Sequence, residues 1–462
     1  MLLSEFKRFD LGACVRQVRS IPVKLKMGEE AILFIYSGEE NIDPGEEYYK
    51  HPSDSLKISL FDMKGTMIWT RDLGRGVIPG IWFCPVISLD LNMDGQDEIY
   101  FVNNLNPEAP FSFLYRYLEE VDPVNGNTVM RWKWPDNTFD DRMSLSYRFY
   151  LVAGYSNGKP VLITSQGTYG DMYLQGYGPG MVKKWETVIR ESDAGPRASH
   201  LTPVLDFNDD GIDELFWGER LLSVENGQEV FCYAKEEYRG HSDVIIPFVD
   251  FENGKRYIYT CREGDEEKGV YRVVTFNEDG SHAWNDLTVG HMHAGWLATI
   301  EHEGKPRRIA AAVERKVTEG ETGLISDENT SYYYDAYTGK RIELEFPGVA
   351  NDFAPLDING DGYSEFLCTG GACCGCVYNF KGELIGKIEG KMVKNGIILS
   401  QYPCDQIMTF DQHGVVRVYG DKDAEPGELF KKRHEYKGFH SLCQRLMASG
   451  YNNYKSNMSC CI

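Results

Sequence analysis

From one end almost to the other, short apolar runs alternate with polar turns built on glycine. The segments "KLKMGEEAILFIY", "DLNMDGQDEIYFV", "YSNGKPVLIT", "DFNDDGIDELFWG", "DFENGKRYIYT", "EHEGKPRRIAAAV" and "DINGDGYSEFLC" share one form. An apolar stretch enters, a Gly turn reverses it, and a second apolar stretch leaves. Short runs rich in β-branched and aromatic residues, bounded by Gly, Asn and Asp, read as hairpin strands. The turns centre on Gly28, Gly95, Gly158, Gly211, Gly254, Gly304 and Gly362. Their spacing, roughly 40 to 70 residues, is irregular but lies near the length of a propeller repeat.

A second set of hairpins falls between the first: "FDMKGTMIW", "DPVNGNTVMRW", "SVENGQEVFC", "FNEDGSHAW", "YDAYTGKRIEL" and "YNFKGELIGKI". Two hairpins make four strands, which is one propeller blade. Near the C-terminus "PCDQIMTFDQHGVVRVYG" supplies one more hairpin, placed to close the ring against the N-terminal strands. The pattern predicts an all-β, seven-bladed β-propeller over residues 1–428, or eight blades if that last hairpin is a blade of its own. No helical periodicity of useful length precedes Leu429. Residues 429–462 are basic and rich in Asn and Ser, and read as a short helix or loop with a tail.

Three of the Gly turns carry extra chemistry. Each reads Asp-x-Asn-x-Asp-Gly with a Glu three residues beyond the Gly. The oxygen-bearing side chains are Asp90, Asn92, Asp94 and Glu98, then Asp206, Asn208, Asp210 and Glu214, then Asp357, Asn359, Asp361 and Glu365. Oxygens at alternate positions around a sharp Gly turn suit a hard cation such as Ca2+, and carboxylates so close repel one another without one. An EF-hand would need a Glu at position 12, where these loops hold Phe101, Trp217 and Cys368. The bland alternative is an Asn/Asp/Gly hairpin turn with no metal; three near-identical copies favour calcium.

Composition narrows the picture. A hydrophobic content of 42% is ample for a core, and the chain has no apolar run long enough to span a membrane as a helix. The start "MLLSEFKRFDLG" lacks a basic segment followed by an apolar core, so a cytoplasmic location is expected. The formal net charge of −22 argues against nucleic acid or anionic membranes as partners. It also means that an anionic substrate needs a locally positive pocket. Twelve scattered cysteines fit a reducing compartment, and "GACCGC" lacks the second knuckle of a zinc site.

In a propeller the loops that feed the innermost strands converge on one face. Eleven residues before each marker Gly stand Gln17, Cys84, Tyr147, His200, Asp243, His293 and Asn351. The flanking segments "GPRASHLTPVLD", "YRGHSDVIIPFVD" and "VGHMHAGWLAT" add Arg197, Arg239, His241 and His291 at the entrances of blades four to six. Imidazole is suited to proton transfer near neutral pH and Arg grips carboxylates in a fork. Three readings stand side by side: histidines tying loops together, a functional site, or a transition-metal site at His200, His241 and His293. The segment "SQGTYGDMYLQGYGPGMVKKWE" brings Tyr169, Tyr173 and Tyr177, either as a sugar-stacking loop or as an outer strand pair. Tyr147 and Arg148 stand at the entrance of blade three.

These residues resemble the calcium-binding propeller polysaccharide lyases, in particular the ulvan lyases and the rhamnose–glucuronate lyases. "GHSDV" and "GHMHAGW" carry the resemblance most specifically, and it is densest over roughly residues 80–370. It implies β-elimination at a uronic acid: a base removes the C5 proton while a cation neutralises the neighbouring carboxylate. In that scheme Arg197 is the neutraliser, His200 or His241 the base, and Tyr177 the acid, with His293 beside them. Tyr147, Arg148, Tyr169, Tyr173, Arg239, His291 and Asn351 would contact a uronate-containing oligosaccharide or polysaccharide. Such lyases often place a further His earlier in the chain; none lies between His51 and His200, and Tyr147 or Arg148 takes that place. The Ca2+ loops then staple hairpins. A non-catalytic sugar- or protein-binding propeller would keep those loops without a His cluster, and a metal-dependent hydrolase or isomerase would hold a transition metal in it.

Overall fold

The computed structural model describes residues 3–46, 52–135, 143–264, 269–319, 325–388, 393–397, 399 and 401–435. Eight four-stranded antiparallel sheets follow one another along the chain and form an eight-bladed β-propeller. The seven Gly turns each join the first two strands of a blade, in chain order from Gln17–Lys24 with Glu30–Ser37 to Phe353–Leu356 with Glu365–Cys368.

The eighth blade corrects the count of seven. Its strands are Val393–Ile397, Gln406–Phe410, Val415–Asp421 and, at the outer edge, the N-terminal Leu3–Asp10. A lone C-terminal hairpin would leave an open edge with unpaired backbone groups. Pairing with the first strand of the chain removes that edge and ties the two ends of the ring together.

Why the inner strands read as unbroken apolar runs is now clear. Both faces of a blade pack against neighbouring blades, so Gln17–Lys24 and Glu98–Asn104 are buried at almost every position. Outermost strands such as Thr128–Lys133 are mostly exposed. Adjacent blades are also clipped at the outer turns. Trp69, on the outermost strand of blade one, donates its indole N–H to the Pro123 carbonyl (2.7 Å) and covers Gly126. Trp185 does the same from blade three to blade four, bonding Val224 O (2.9 Å) and covering Gly227. Trp284 repeats it from blade five to blade six, on Ala336 O (2.7 Å) and Gly339. A Cβ on any of these glycines would collide with the ring, and the left-handed φ of +68° to +72° also favours Gly there.

Of the two readings of the Gly/Tyr-rich segment the outer strand pair holds, and the reading of the cysteines changes. The Gly/Tyr-rich segment is the missing outer hairpin of blade three, with strands Met172–Gly178 and Val182–Ile189 joined by Pro179–Met181. Cys368 and Cys373 form a disulfide, where free thiols were expected. After the eighth blade a helix, Glu428–Glu435, buries Phe430 and Arg433 against the ring; residues 436–462 lie outside the described residues. Among the described residues no helix is long and apolar enough to cross a membrane.

Candidate active site

The entrances of blades four, five and six meet through main-chain contacts. Arg197 N donates to Gly240 O (2.9 Å), and Ser199 forms a parallel bridge with Ser242. Ser199 Oγ adds a bond to Asp243 O (3.1 Å). These contacts set His200 beside His241, with ring centroids 4.4 Å apart.

Two β-bulges aim the remaining groups. In blade five the register slips between Ser242 and Val244, leaving Asp243 as the extra residue. In blade six it slips between Met292 and Ala294, leaving His293 as the extra residue. A bulged residue is released from strand alternation and can be redirected. Both point into the same space: His293 Nδ1 lies 3.2 Å from Asp243 Oδ2. His241 Nε2 is 3.5 Å and His200 Nε2 3.7 Å from Asp243 Oδ1. Glu263, just past the second strand of blade five, is held by its own N–H on His241 O (3.0 Å) and lies 3.3 Å from His291 Nε2.

One fully buried carboxylate is thus ringed by three imidazoles, with a second carboxylate and a fourth imidazole at its open side. Donor atoms of His200, His241, Asp243 and Glu263 lie within 4.8 Å of one another, and so do those of Asp243, Glu263, His291 and His293. Ligand atoms around one ion sit roughly 3 to 4 Å apart when the bonds are about 2.1 Å. The mixture of imidazole nitrogen and carboxylate oxygen suits Zn2+, Mn2+ or a similar ion, and the residues present fit one.

Electrostatics point the same way. Burial first, then the charges of His241 and Arg148, hold His200 well below the ordinary imidazole range, so this ring is neutral. Burial opposes the charge of Asp243, yet the facing His241, His293 and His200 keep its carboxyl well below the usual range. A buried anion needs positive charge, from a proton on a facing imidazole or from a bound cation.

The floor and wall of the site are rigid. Glu219 and Arg262 make a fully buried fork of two 2.7 Å bonds, and Ser242 Oγ donates to the same carboxylate (3.0 Å). Tyr238 donates to the carbonyls of both His241 and Glu263. On the blade-three side Tyr169 Oη lies 3.3 Å from His200 Nε2, with its ring 4.6 Å from that of His241. Burial pushes the Tyr169 hydroxyl well above its ordinary value, so it stays protonated. Arg148 stacks on Tyr169 and Trp82 and pairs with Asp43 (3.0 Å).

Several expected members of the site lie elsewhere. Arg197 is buried, its guanidinium held by the carbonyls of Arg190, Asp193 and Gly195, and this removes it as the carboxylate neutraliser. Tyr177 sits at the opposite end of its strand, bonded to Gln175 (2.6 Å), and cannot be the acid of this cluster. Tyr173 packs under Arg190 on the outer side of blade three. Tyr147 donates to Phe111 O (3.0 Å) within an aromatic group of Phe83, Phe111 and Phe113. Arg239 is exposed on the loop before His241, and Asn351 lies in the short turn Ala350–Asp352 entering blade seven. Sequence reasoning missed Asp243 and Glu263 as site members. Asp243 stood in the column of entry residues; Glu263 has no local signal, because only the pairing of blade five brings it beside His241.

The acidic loops lie at the other end of the ring. In the first, Asp90 accepts from the N–H groups of Asp94 and Gly95 (both 3.0 Å), and Asp90, Asp94 and Glu98 offer oxygens within 4.8 Å of one another. The second repeats this with Asp206, Asp210 and Gly211. Burial, with added repulsion from nearby carboxylates, pushes Glu98 and Glu214 up to about 7. Asn92 and Asn208 turn their amide N–H toward these glutamates. The oxygens gathered in the first loop fit a calcium ion. In the third loop Arg433 of the C-terminal helix lies 3.6 Å from Asp357 and 2.9 Å from Asp405 and supplies positive charge there. Asn359 bonds both Asp361 and Glu365.

No family model and no curated protein matches this chain. Solved structures do. The exotype rhamnogalacturonan lyase YesX superposes with a TM-score of 0.75 at 14% identity, covering 97% of this chain and 81% of that one. Rhamnogalacturonan lyase YesW gives 0.71 at 15% identity over 96% and 77%. The Bacillus licheniformis rhamnogalacturonan lyase PL11 gives 0.73 at 16% identity over 98% and 81%. The fold is therefore one shared with polysaccharide lyases.

Proposed function

We propose that the protein is a polysaccharide lyase that cleaves a chain of alternating rhamnose and uronic acid by β-elimination at the Asp243 cluster. The observation that carries this reading is the convergence of four imidazoles and two carboxylates, from three successive blades, on one end of a propeller shared with lyases. The rhamnogalacturonan substrates in the names of the structural neighbours support the sugar class.

The C5 proton of a uronate is hard to remove because the adjacent carboxylate already carries charge. A divalent cation supplies the charge that makes this possible when bound. Asp243, Glu263, His291 and His293 would hold it, since this set is the more open of the two groups of donors. Tyr169 and His200 move the proton. Tyr169 Oη takes the C5 proton as its own passes to the neutral His200 Nε2, 3.3 Å away. The C5–H electron pair becomes the C4=C5 double bond and the C4–O bond breaks. The departing oxygen takes its proton from Tyr169, which regains one from His200. Asp43 fixes Arg148 and Arg148 stacks on Tyr169, holding the phenol in place. The Asp90 and Asp206 loops take Ca2+ as hairpin staples, remote from this chemistry.

The test follows the ultraviolet absorbance of the unsaturated product with rhamnose–galacturonate and rhamnose–glucuronate oligosaccharides. Wild type, Tyr169→Phe and Asp243→Asn are compared after circular dichroism confirms folding. A signal lost in both variants supports the lyase reading. New reducing ends without unsaturation would make the protein a hydrolase, and intact substrate across the panel would make it a binding module.

A further inference from the structure

Blade seven gathers cysteines that the Asp243 cluster does not use. Cys368 ends the second strand, Glu365–Cys368, and its disulfide partner Cys373 closes the short turn Gly371–Cys373. The third strand begins at Cys376. Phe366 faces Tyr378 and Leu367 faces Val377 across these two strands. One step further along the same register Cys376 comes opposite Cys368, and there Gly375 N donates to Cys368 O (2.8 Å). Opposed residues on antiparallel strands lie about 4.5–5.5 Å apart at Cα. That falls inside the roughly 4.4–6.8 Å that a disulfide spans.

Packing puts the three side chains on one side of the blade. Cys368 is fully buried in the apolar layer between blades six and seven, and Cys373 and Cys376 pack half-buried against that layer. Cys374 packs against the layer on the opposite side. Cys376 is a free thiol. Cys368 thus has two neighbouring cysteines, one already bonded to it and one across the sheet.

We propose that these residues form a thiol–disulfide exchange site: the bond of Cys368 passes from Cys373 to Cys376, and the freed Cys373 accepts a small thiol from a low-molecular-weight disulfide. In the first step the Cys376 thiolate attacks Cys368 Sγ and the Cys368–Cys373 bond breaks. Cys373 leaves as a thiolate and takes up the proton that Cys376 gave up, so no oxidant is consumed. In the second step the Cys373 thiolate attacks one sulfur of the small disulfide. A mixed disulfide forms on Cys373, and the other half of the small disulfide departs as a thiol. Cys373 is the accessible partner of the bond, since it is half-buried while Cys368 lies fully inside. The exchange widens the loop closed by the bond from residues 369–372 to residues 369–375, where Thr369 N rests on Asp352 O (2.7 Å) at the blade-seven entrance. This chemistry needs nothing from the Asp243 cluster.

The full chain is tested with Cys374→Ser as background, so that Cys368, Cys373 and Cys376 are the cysteines of the segment. It is incubated with glutathione disulfide and quenched in acid. The fragment carrying residues 368–376 is then sequenced by mass spectrometry without reduction. Cys376→Ser and Cys373→Ser are each added to this background, with folding checked by circular dichroism. One glutathione is expected on Cys373, with Cys368 joined to Cys376. Cys376→Ser should keep the Cys368–Cys373 bond and lose the uptake, and Cys373→Ser should form the Cys368–Cys376 bond. Glutathione on Cys376 beside an intact Cys368–Cys373 bond would overturn the proposal. So would a fragment that takes up none, uptake that Cys376→Ser leaves unchanged, or a Cys373→Ser chain whose Cys368 and Cys376 stay unjoined.

Discussion

At the turn end of blades two and four, an Asp-x-Asn-x-Asp-Gly loop closes on itself, and its side-chain oxygens all lie within nine consecutive residues. At the entry end, the groups around Asp243 come from three blades, with Tyr169 added from a fourth. The two ends share strands and hairpins, yet one is assembled by local sequence and the other by ring closure. A local loop can be copied from blade to blade, as it is here. A cluster that depends on two bulges and a buried ion pair is made once, in one sector.

The sharpest way to break that contrast is to change the centre of the cluster. Asp243→Asn keeps the shape but removes the charge that the imidazoles face, and loss of lyase activity of more than about 100-fold is expected. Bound metal, counted by mass spectrometry, should fall with it while the melting temperature changes little. A variant that keeps its metal would move the site elsewhere.

Next in size is the outer clip. Trp185→Ala removes a nearly buried indole and its bond to Val224 O, and about 3–5 kcal/mol of stability should be lost in urea unfolding. Activity of the remaining folded protein is expected to be unchanged, because the clip serves the ring and not the cluster.

The third loop tests whether the local motif alone decides its ligand. Arg433→Gln leaves the buried Asp357 and Asp405 without their guanidinium, a change that typically costs about 3 kcal/mol. The Glu428–Glu435 helix should then become cleavable in limited proteolysis, and added Ca2+ should protect it again if the vacated carboxylates accept the ion.

The smallest effect is expected from chelation. Stripping Ca2+ from the first two loops should lower the melting temperature by the equivalent of about 1–3 kcal/mol, the linkage expected for ligand at 10 to 100 times its Kd. Asp94→Asn and Asp210→Asn should each reduce that response, and Asp361→Asn should not.

How much was legible follows from these same particulars. The inner turns of blades one to seven and six of the outer ones could be placed from Gly, Asn and Asp between apolar runs, because hairpin chemistry is local. The blade-three outer turn was obscured by Gly176, Gly178 and Gly180 crowding one segment; only Gly180 takes the positive φ of the turn, at +68°. The eighth blade was ambiguous because one of its strands lies at the opposite end of the chain. In the site, His200, Asp243 and His293 share one offset from the turn glycines, and His241 stands two residues before Asp243. Arg197 is spent on the carbonyls of Arg190, Asp193 and Gly195, and no local sequence signal separates such an arginine from one that meets a ligand.

The sequence by itself determined the repeating hairpin, the burial of its inner strands and the acidic loops, since each of these depends on residues a few positions apart. Tertiary structure decided the blade number, the partner of the third loop and the make-up of the cluster. Those depend on which segments meet when the ring closes, and on bulges at Asp243 and His293 that turn two side chains out of strand alternation.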